Sequence, residues 1–146
     1  MPNFEFGPAS QADAVAIKHL LAQADLPSED FAAHLTHFRL AKNDGELAGV
    51  IGLEPFGEAG LLRSLVTTPA YRGQGLGQAL VEQVTDYARS LGVRELYLLT
   101  TTAADFFPRL GFRVIDRASV PPAIQTTAEF ASICPSTAVC MSKRIV

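Results

Sequence analysis

Six residues near the middle of the chain, Arg72-Gly73-Gln74-Gly75-Leu76-Gly77, have the types and spacing to hold an anion. Glycine allows sharp backbone turns and a close approach of the chain to a ligand. The run opens a helical pattern. The first N–H groups of a helix have no intrahelical partners, and the macrodipole favours negative charge where they point. Arg72 adds a planar, permanently charged group suited to phosphate. An apolar run from Leu61 to Val66 comes before the glycines and reads as a strand, with Pro69 in the turn between them. A strand, a glycine-rich turn and a helix, in that order, make a cradle for pyrophosphate.

Two common cradles fit poorly. A dinucleotide fold places an acidic residue roughly twenty residues on, at the end of the next strand, where this chain has Thr100-Thr101-Thr102. A Walker loop ends in Gly-Lys-Ser/Thr, whereas Gly77 is followed by Gln78. The hexamer instead resembles the acetyl-CoA loop of the GNAT N-acetyltransferase superfamily, Arg/Gln-x-x-Gly-x-Gly/Ala, at Arg72, Gly75 and Gly77. The resemblance extends to "LLRSLVTTPAYRGQGLG" and to "FFPRLGF", Phe106 to Phe112.

The elements that must position this loop can be read along the chain. Phe4 to Gly7 is a short strand ended by Pro8, and Ser10 to Asp13 is a capping box that opens a helix. Val15, Ile17, Leu20 and Leu21 fit one face of that helix. Pro27 to Leu35 reads as a second short helix. Phe38 to Lys42 and Glu46 to Leu53 form a hairpin across Asn43-Asp44-Gly45, a turn of the kind that requires positive φ. Leu61 to Thr67 is the next strand. A helix runs from Gly75 to Leu91, with Leu76, Leu80, Val84 and Tyr87 as its stripe and Gly92 at its C-cap. Then come a strand from Val93 to Thr100, a short helix from Ala103 to Arg109, a strand from Phe112 to Arg117, a break at Pro121-Pro122, and a last strand from Thr137 to Arg144. This order matches the GNAT fold over essentially the whole chain. The expected architecture is α/β (α+β), a mixed central sheet of six to seven strands flanked by helices, in a single domain over residues 1–146.

Composition narrows the partners. The chain has 146 residues, 48% of them apolar, which suits a globular domain with a real core. A net charge of −3 argues against general nucleic-acid binding. No apolar run reaches transmembrane length and no basic-plus-apolar leader opens the chain, so a cytoplasmic protein without membrane attachment is expected. The two cysteines, Cys134 and Cys140, and the three histidines, His19, His34 and His37, show no metal-ligand spacing, and no metal is expected.

The resemblance implies a set of roles. Acetyl-CoA is the co-substrate. Leu65, Val66 and Thr67 hold positions where the strand backbone pairs with the pantetheine arm and where a backbone N–H can stabilise the thioester oxygen as it gains charge. Arg72, Gly73, Gln74, Gly75, Leu76, Gly77 and Gln78 cradle the pyrophosphate, and Thr100 and Phe106 complete the expected cofactor contacts. A neutral amine attacks the thioester directly in a ternary complex. Glu54, at a strand end, is the candidate base, and Ser64 is the second candidate catalytic residue. By the period of two, Arg63 and Ser64 lie on opposite faces of the central strand. Arg63 in an apolar strand needs an anionic partner, either a substrate carboxylate or a structural ion pair. Phe31, His34 and His37 either line the acceptor groove or pack half-buried.

Two departures stand out. Many GNAT members carry a tyrosine acid where this chain has Phe107, which cannot donate a proton. The segment from Val120 to Met141 also resembles the tail of a GNAT subgroup associated with arsenic-resistance operons, with a looser match to the enzymes that make N-acetylglutamate. That implies a small amine acceptor bearing a carboxylate, perceived through Thr127, Glu129, Cys134 and Ser136. The alternative is a non-catalytic acetyl-CoA or metabolite sensor on the same fold. The apolar strand Thr137 to Met141 is a candidate homodimer interface.

Overall fold

The computed structural model describes residues 4–24, 26, 31–101, 103–127, 130 and 138–146. Seven strands form one sheet: β1 (Phe4–Pro8), β2 (Arg39–Asn43), β3 (Glu46–Phe56), β4 (Ala59–Thr67), β5 (Glu95–Thr100), β6 (Arg113–Val114) and β7 (Val139–Arg144). Their order across the sheet is β1-β2-β3-β4-β5-β7-β6. The sheet is mixed: β1 with β2 and β2 with β3 are antiparallel, β4 with β5 is parallel, and β7 runs antiparallel to both β5 and β6. The α-helices are α1 (Ala14–Gln23), α2 (Leu76–Ser90) and the single turn α3 (Pro122–Gln125). Among the described residues no helix is long and apolar enough to cross a membrane.

The chain divides into two compact units. The first comprises Met1–Leu53 and Ser64–Tyr87, the second Glu54–Arg63 and Ala88–Val146. In the first, the β2–β3 hairpin closes through Asp44 (φ 52°) and Gly45 (φ 81°), the left-handed pair that the Asn-Asp-Gly sequence demands. The Asp13 carboxylate accepts the Ser10 backbone N–H at 2.9 Å, and the expected box opens a single 3₁₀ turn before α1. Ile17, Leu20 and Leu21 of α1 are buried with Phe31, Leu35, Phe38, Leu40, Val50 and Val66. Val15 does not share that face and is 83% exposed. It sits two residues before Ile17, about 200° around a helix of 3.6 residues per turn. The second expected helix is a 3₁₀ segment, Phe31–His37, and its expected start at Pro27 lies outside the described residues.

Helix α2 packs through Leu76, Leu80, Val81 and Val84, all buried. It can approach the sheet closely because residue 49 is glycine. A Cβ on Gly49 would lie 2.8 Å from Leu80 Cδ1 and 3.2 Å from the Val66 carbonyl oxygen. At the other end of α2, the Val93 N–H donates to the Ala88 carbonyl and the Gly92 N–H to the Arg89 carbonyl, both at 3.0 Å. With Gly92 at φ 89° this is a Schellman cap. It consumes Val93, so β5 begins at Glu95 and not at Val93.

Three expectations for the second unit need correction. The Phe112–Arg117 strand shrinks to Arg113–Val114, because Arg117 to Ser119 turns as a 3₁₀ segment. Pro121-Pro122 does not only break the chain. Pro122 occupies the first turn of α3, where its missing N–H and fixed φ fit a helix start. The last strand starts at Val139 and lies between β5 and β6, with Cys140, Met141 and Ser142 buried. Of the segment expected as a dimer interface, Thr137 lies outside the described residues and Val139 to Met141 belong to this strand. The core of this unit gathers Leu61, Val120, Ile124, Phe130 and Cys140. Burial pushes the Cys140 thiol above its ordinary range.

Gly49→Ala should destabilise the protein by about 1–3 kcal/mol, because the added methyl overpacks against Leu80 and the Val66 carbonyl. Urea unfolding measures this, and an unchanged midpoint would mean that α2 relaxes away from the sheet without cost.

Candidate functional site

The glycine-rich loop lies entirely within the first unit. After β4, Thr68 donates its N–H to the Ala48 carbonyl at 2.8 Å, which ties the turn to β3. A 3₁₀ turn, Pro69–Tyr71, follows. Gly73 (φ 78°) and Gly75 (φ 79°) then adopt left-handed backbone. A Cβ on either would meet nothing within 4 Å. Conformation, and not lack of room, is what requires glycine there. The first helical bond of α2 runs from the Ala79 N–H to the Gly75 carbonyl at 3.0 Å. The N–H groups of Gly75, Leu76, Gly77 and Gln78 thus belong to the first turn, which has no intrahelical acceptors. Such left-handed turns direct successive N–H groups into a concavity that suits an anion. Arg72 is exposed just upstream. The Gln74 side chain closes back on the loop, donating to the Ala70 carbonyl at 3.3 Å.

The strand leading into this loop is irregular. Ser64 is buried, in the middle of β4, and has φ 60°. A non-glycine residue held left-handed within a strand stores strain of roughly 1–3 kcal/mol and breaks the alternation of faces. The expectation that Arg63 and Ser64 oppose each other by the period of two assumes regular strand backbone, from which Ser64 departs. Leu65 and Thr67 are half-buried after it, and Val66 is buried. Their backbone lies on the first unit's side of β4, as the loop does.

In the second unit Arg63 donates from Nη1 to Glu54 Oε2 at 2.9 Å, with side-chain exposures of 0% and 5%. The Arg63 partner is thus a carboxylate of this chain. This is the structural ion pair that the sequence left open as one alternative. The pair thus joins the residue expected as a base and the residue expected as a carboxylate clamp.

Other expected residues are also committed locally. Thr100 Oγ1 accepts the Ala103 N–H at 3.0 Å. Thr127 donates its hydroxyl to the Ile124 carbonyl at 2.6 Å and accepts the Phe130 N–H at 3.4 Å. Arg117 fixes the same segment by donating to the Phe130 carbonyl at 3.0 Å. Glu129, Cys134 and Ser136 lie outside the described residues. Phe106 is half-buried against Phe107, which stacks edge-on with Phe112 at 5.4 Å. The ring that replaces the usual tyrosine is therefore a packed link in an aromatic row. Phe31 is a core residue. His37 holds Nδ1 at 2.6 Å from the Tyr87 hydroxyl, and burial, aided by the charges of His34 and Arg39, pushes its imidazole below the ordinary value.

Sequence reading missed Tyr71, Asn43 and Phe4. By sequence Asn43 reads as a turn residue and Phe4 as the start of a strand. Both contact the residue just before Arg72.

Residues 8–112, from β1 through the loop to the end of the aromatic row, match the model of the acetyltransferase (GNAT) family. The chain belongs to the GNAT acetyltransferase family. Enzymes of this family use acetyl-CoA as the acyl donor. Among curated relatives, the amino-acid acetyltransferase of Neisseria meningitidis (serogroup A) is 30% identical over 90 residues, which is 60% of this chain and 21% of that protein. The amino-acid acetyltransferase of Pseudomonas syringae pv. syringae is 35% identical over 80 residues, 53% of this chain and 18% of that protein. The GNAT chain therefore spans about a fifth of the length of these curated relatives.

Among solved structures, N-acetylglutamate synthase from Neisseria gonorrhoeae, complexed with coenzyme A and N-acetyl-glutamate, superposes with a TM-score of 0.85 at 21% identity. The match covers 100% of this chain and 36% of that one. Rv2747 from Mycobacterium tuberculosis, in a complex containing CoA, gives 0.81 at 23% identity over 97% of this chain and 99% of its own. At these identities the likeness establishes the fold.

Removing Glu54 with Glu54→Ala should cost about 3–5 kcal/mol, the penalty for stranding a buried charge. The apolar pair Glu54→Leu with Arg63→Met should recover most of that loss. Denaturant titration of the three proteins is the check. Equal stability of Glu54→Ala and the parent would mean that the ion pair carries no structural load.

Proposed function

We propose that this chain is an acetyl-CoA-dependent N-acetyltransferase acting on a small amino-acid-like acceptor, with the amine attacking the thioester directly in a ternary complex. The observation that carries this reading is the loop itself. Left-handed Gly73 and Gly75 stand in open space and feed the N-terminus of α2, with Arg72 exposed beside them. In this reading the N–H groups from Gly73 to Gln78 and the Arg72 guanidinium hold the pyrophosphate. The backbone of Leu65, Val66 and Thr67 aligns the pantetheine and supplies an N–H to the thioester oxygen.

The chemistry needs little more. The lone pair of a neutral amine forms the new C–N bond, the C–S bond breaks, and CoA leaves as a thiolate. The amine proton leaves to Glu54, ion-paired with Arg63, or through a water chain. Water also protonates the thiolate, because Phe107 has no proton to give. A thiolate is a tolerable leaving group near neutral pH.

Two findings support an acceptor with an amino group and a carboxylate. The matched curated relatives are amino-acid acetyltransferases, and one structural neighbour holds N-acetyl-glutamate. The resemblance of the Val120–Met141 segment to the arsenic-associated subgroup extends the proposal to glutamate-like organoarsenicals and to a role in arsenic resistance. A second reading, a non-catalytic acetyl-CoA sensor, draws support from the packed Phe107 ring, which leaves the usual acid position without a proton donor.

Thiol release from acetyl-CoA decides between them, with glutamate, its phosphorus and arsenic analogues, other amino acids, polyamines and short peptides as acceptors and mass spectrometry of the products. Acetylation of a glutamate-like compound is the expected result. Bound CoA with no release from any acceptor would favour the sensor. Arg72→Ala should weaken CoA binding by roughly 1–3 kcal/mol, the scale of a charge-assisted contact. Unchanged affinity in that variant would remove the pyrophosphate assignment.

A further inference from the structure

The residue immediately before Arg72 is held by parts of the chain far from it in sequence. Phe4 of β1 and Asn43 of β2 are directly opposite each other in the sheet. Both reach Tyr71. The Asn43 side-chain amide donates to the Tyr71 hydroxyl at 2.8 Å. The Phe4 ring meets the Tyr71 ring edge to face, with centroids 5.2 Å apart at 88°. The backbone on either side is fixed as well. Tyr71 donates its N–H to the Thr68 carbonyl at 3.0 Å, and Arg72 donates its own to the Pro69 carbonyl at 3.4 Å. Asn43 itself is the last residue of β2 before the Asp44-Gly45 turn.

This arrangement bears on the loop in one specific way. Past Arg72 the backbone enters the left-handed turns at Gly73 and Gly75, which a flexible glycine-rich segment would visit only part of the time. Anion binding by backbone N–H groups is strong only when they already converge, because ordering them on binding costs affinity. The Gln74 amide on Ala70 and the Thr68 N–H on Ala48 brace the loop through the backbone. Tyr71 is different. It is the side chain that ties the loop to the cross-strand pair of β1 and β2, and its hydroxyl is the atom that distinguishes it from phenylalanine in that role.

We infer that Tyr71 and Asn43 are positioning residues for the phosphate-binding loop. Their hydrogen bond, seated on Phe4, holds Arg72 and the two left-handed glycines in the anion-binding conformation, so that the tip of the β2–β3 hairpin sets the affinity for CoA. The inference rests on the pyrophosphate reading of the loop. Neither residue touches the ligand in this account. Each acts through the backbone that Tyr71 fixes.

The test is calorimetric titration of CoA into the parent protein, Tyr71→Phe, Asn43→Ala, the double variant and Arg72→Ala, all at a temperature where melting curves show every protein folded. Tyr71→Phe removes one oxygen and keeps the ring against Phe4, so the fold should tolerate it. The expected result is a three- to tenfold weaker CoA affinity for Tyr71→Phe and for Asn43→Ala, about the worth of one hydrogen bond. The double variant should be no weaker than either single one, because each change already breaks the same bond. If both single variants bind CoA as the parent does while Arg72→Ala binds it weakly, the pair is ordinary packing and the inference fails with the pyrophosphate reading intact. If the losses in the double variant simply add, the two residues do not act through one bond and the inference also fails. If Arg72→Ala binds CoA as tightly as the parent, the pyrophosphate reading falls and takes the inference with it.

Discussion

A protein with a net charge of −3 that holds a pyrophosphate has to do so locally, with backbone dipoles and one or two guanidinium groups. Most of the first unit can be understood from that constraint. Backbone N–H groups can face an anion only where neither helix nor sheet consumes them. A helix start offers several at once, all pointing one way. The approach to that start has to turn sharply, which accounts for left-handed Gly73 and Gly75 with open space around them. The helix then has to lie firmly on the sheet, so that its first turn does not drift. Gly49 permits the close approach, and Leu76, Leu80 and Val84 bury the contact. The Schellman cap at Gly92 ends α2 cleanly and returns the chain to β5.

A second constraint shapes β4. The strand carries a buried arginine and, immediately after it, a buried serine at φ 60°. Both are costly by themselves. An unpaired guanidinium without exposed surface would not be tolerated, and Glu54 answers it at 2.9 Å. The left-handed serine costs conformational energy that only a well-determined surrounding structure can impose. Strain of this kind clusters at functional sites. Here it falls just before Leu65, Val66 and Thr67, the residues whose backbone would face a thioester. The strand is deformed where the proposed chemistry needs a backbone N–H turned away from ladder pairing.

Local rules made much of this legible. The capping box at Ser10 and Asp13, the Asn-Asp-Gly hairpin, the glycine-rich helix start and the glycine C-cap each announce themselves within six residues, because each is set by backbone conformation or by a neighbour nearby in sequence. The stripe on α2 shows through its period. What the sequence hid was pairwise and long-range. Arg63 plainly needed an anion, yet nothing in the spacing chose Glu54 over a substrate carboxylate. Val15 joined the apolar face of α1 by composition and left it by angle. Ser64 looked like any strand residue, since serine carries no mark of a left-handed backbone. Tyr71 was invisible because its partners lie on β1 and at the end of β2, and only the sheet brings Phe4 and Asn43 together.

The same division separates what is known of the donor from what is known of the acceptor. Acetyl-CoA is a large, constant ligand, and the cradle proposed for it is built from backbone geometry that a glycine pattern can encode. The acceptor is small, and discrimination among small acceptors depends on a few side chains whose placement no local rule dictates. In the second unit the described part of the Val120–Met141 segment is engaged in holding itself together. Thr127 and Arg117 both bond to the Phe130 backbone, and Val120, Ile124 and Phe130 fill the core with Leu61. In the proposed reading, polar contacts to an acceptor fall largely to residues outside the described part. The resemblance to the arsenic-associated subgroup implies Glu129, Cys134 and Ser136 for that role, side chains with the chemistry to meet a polar head group.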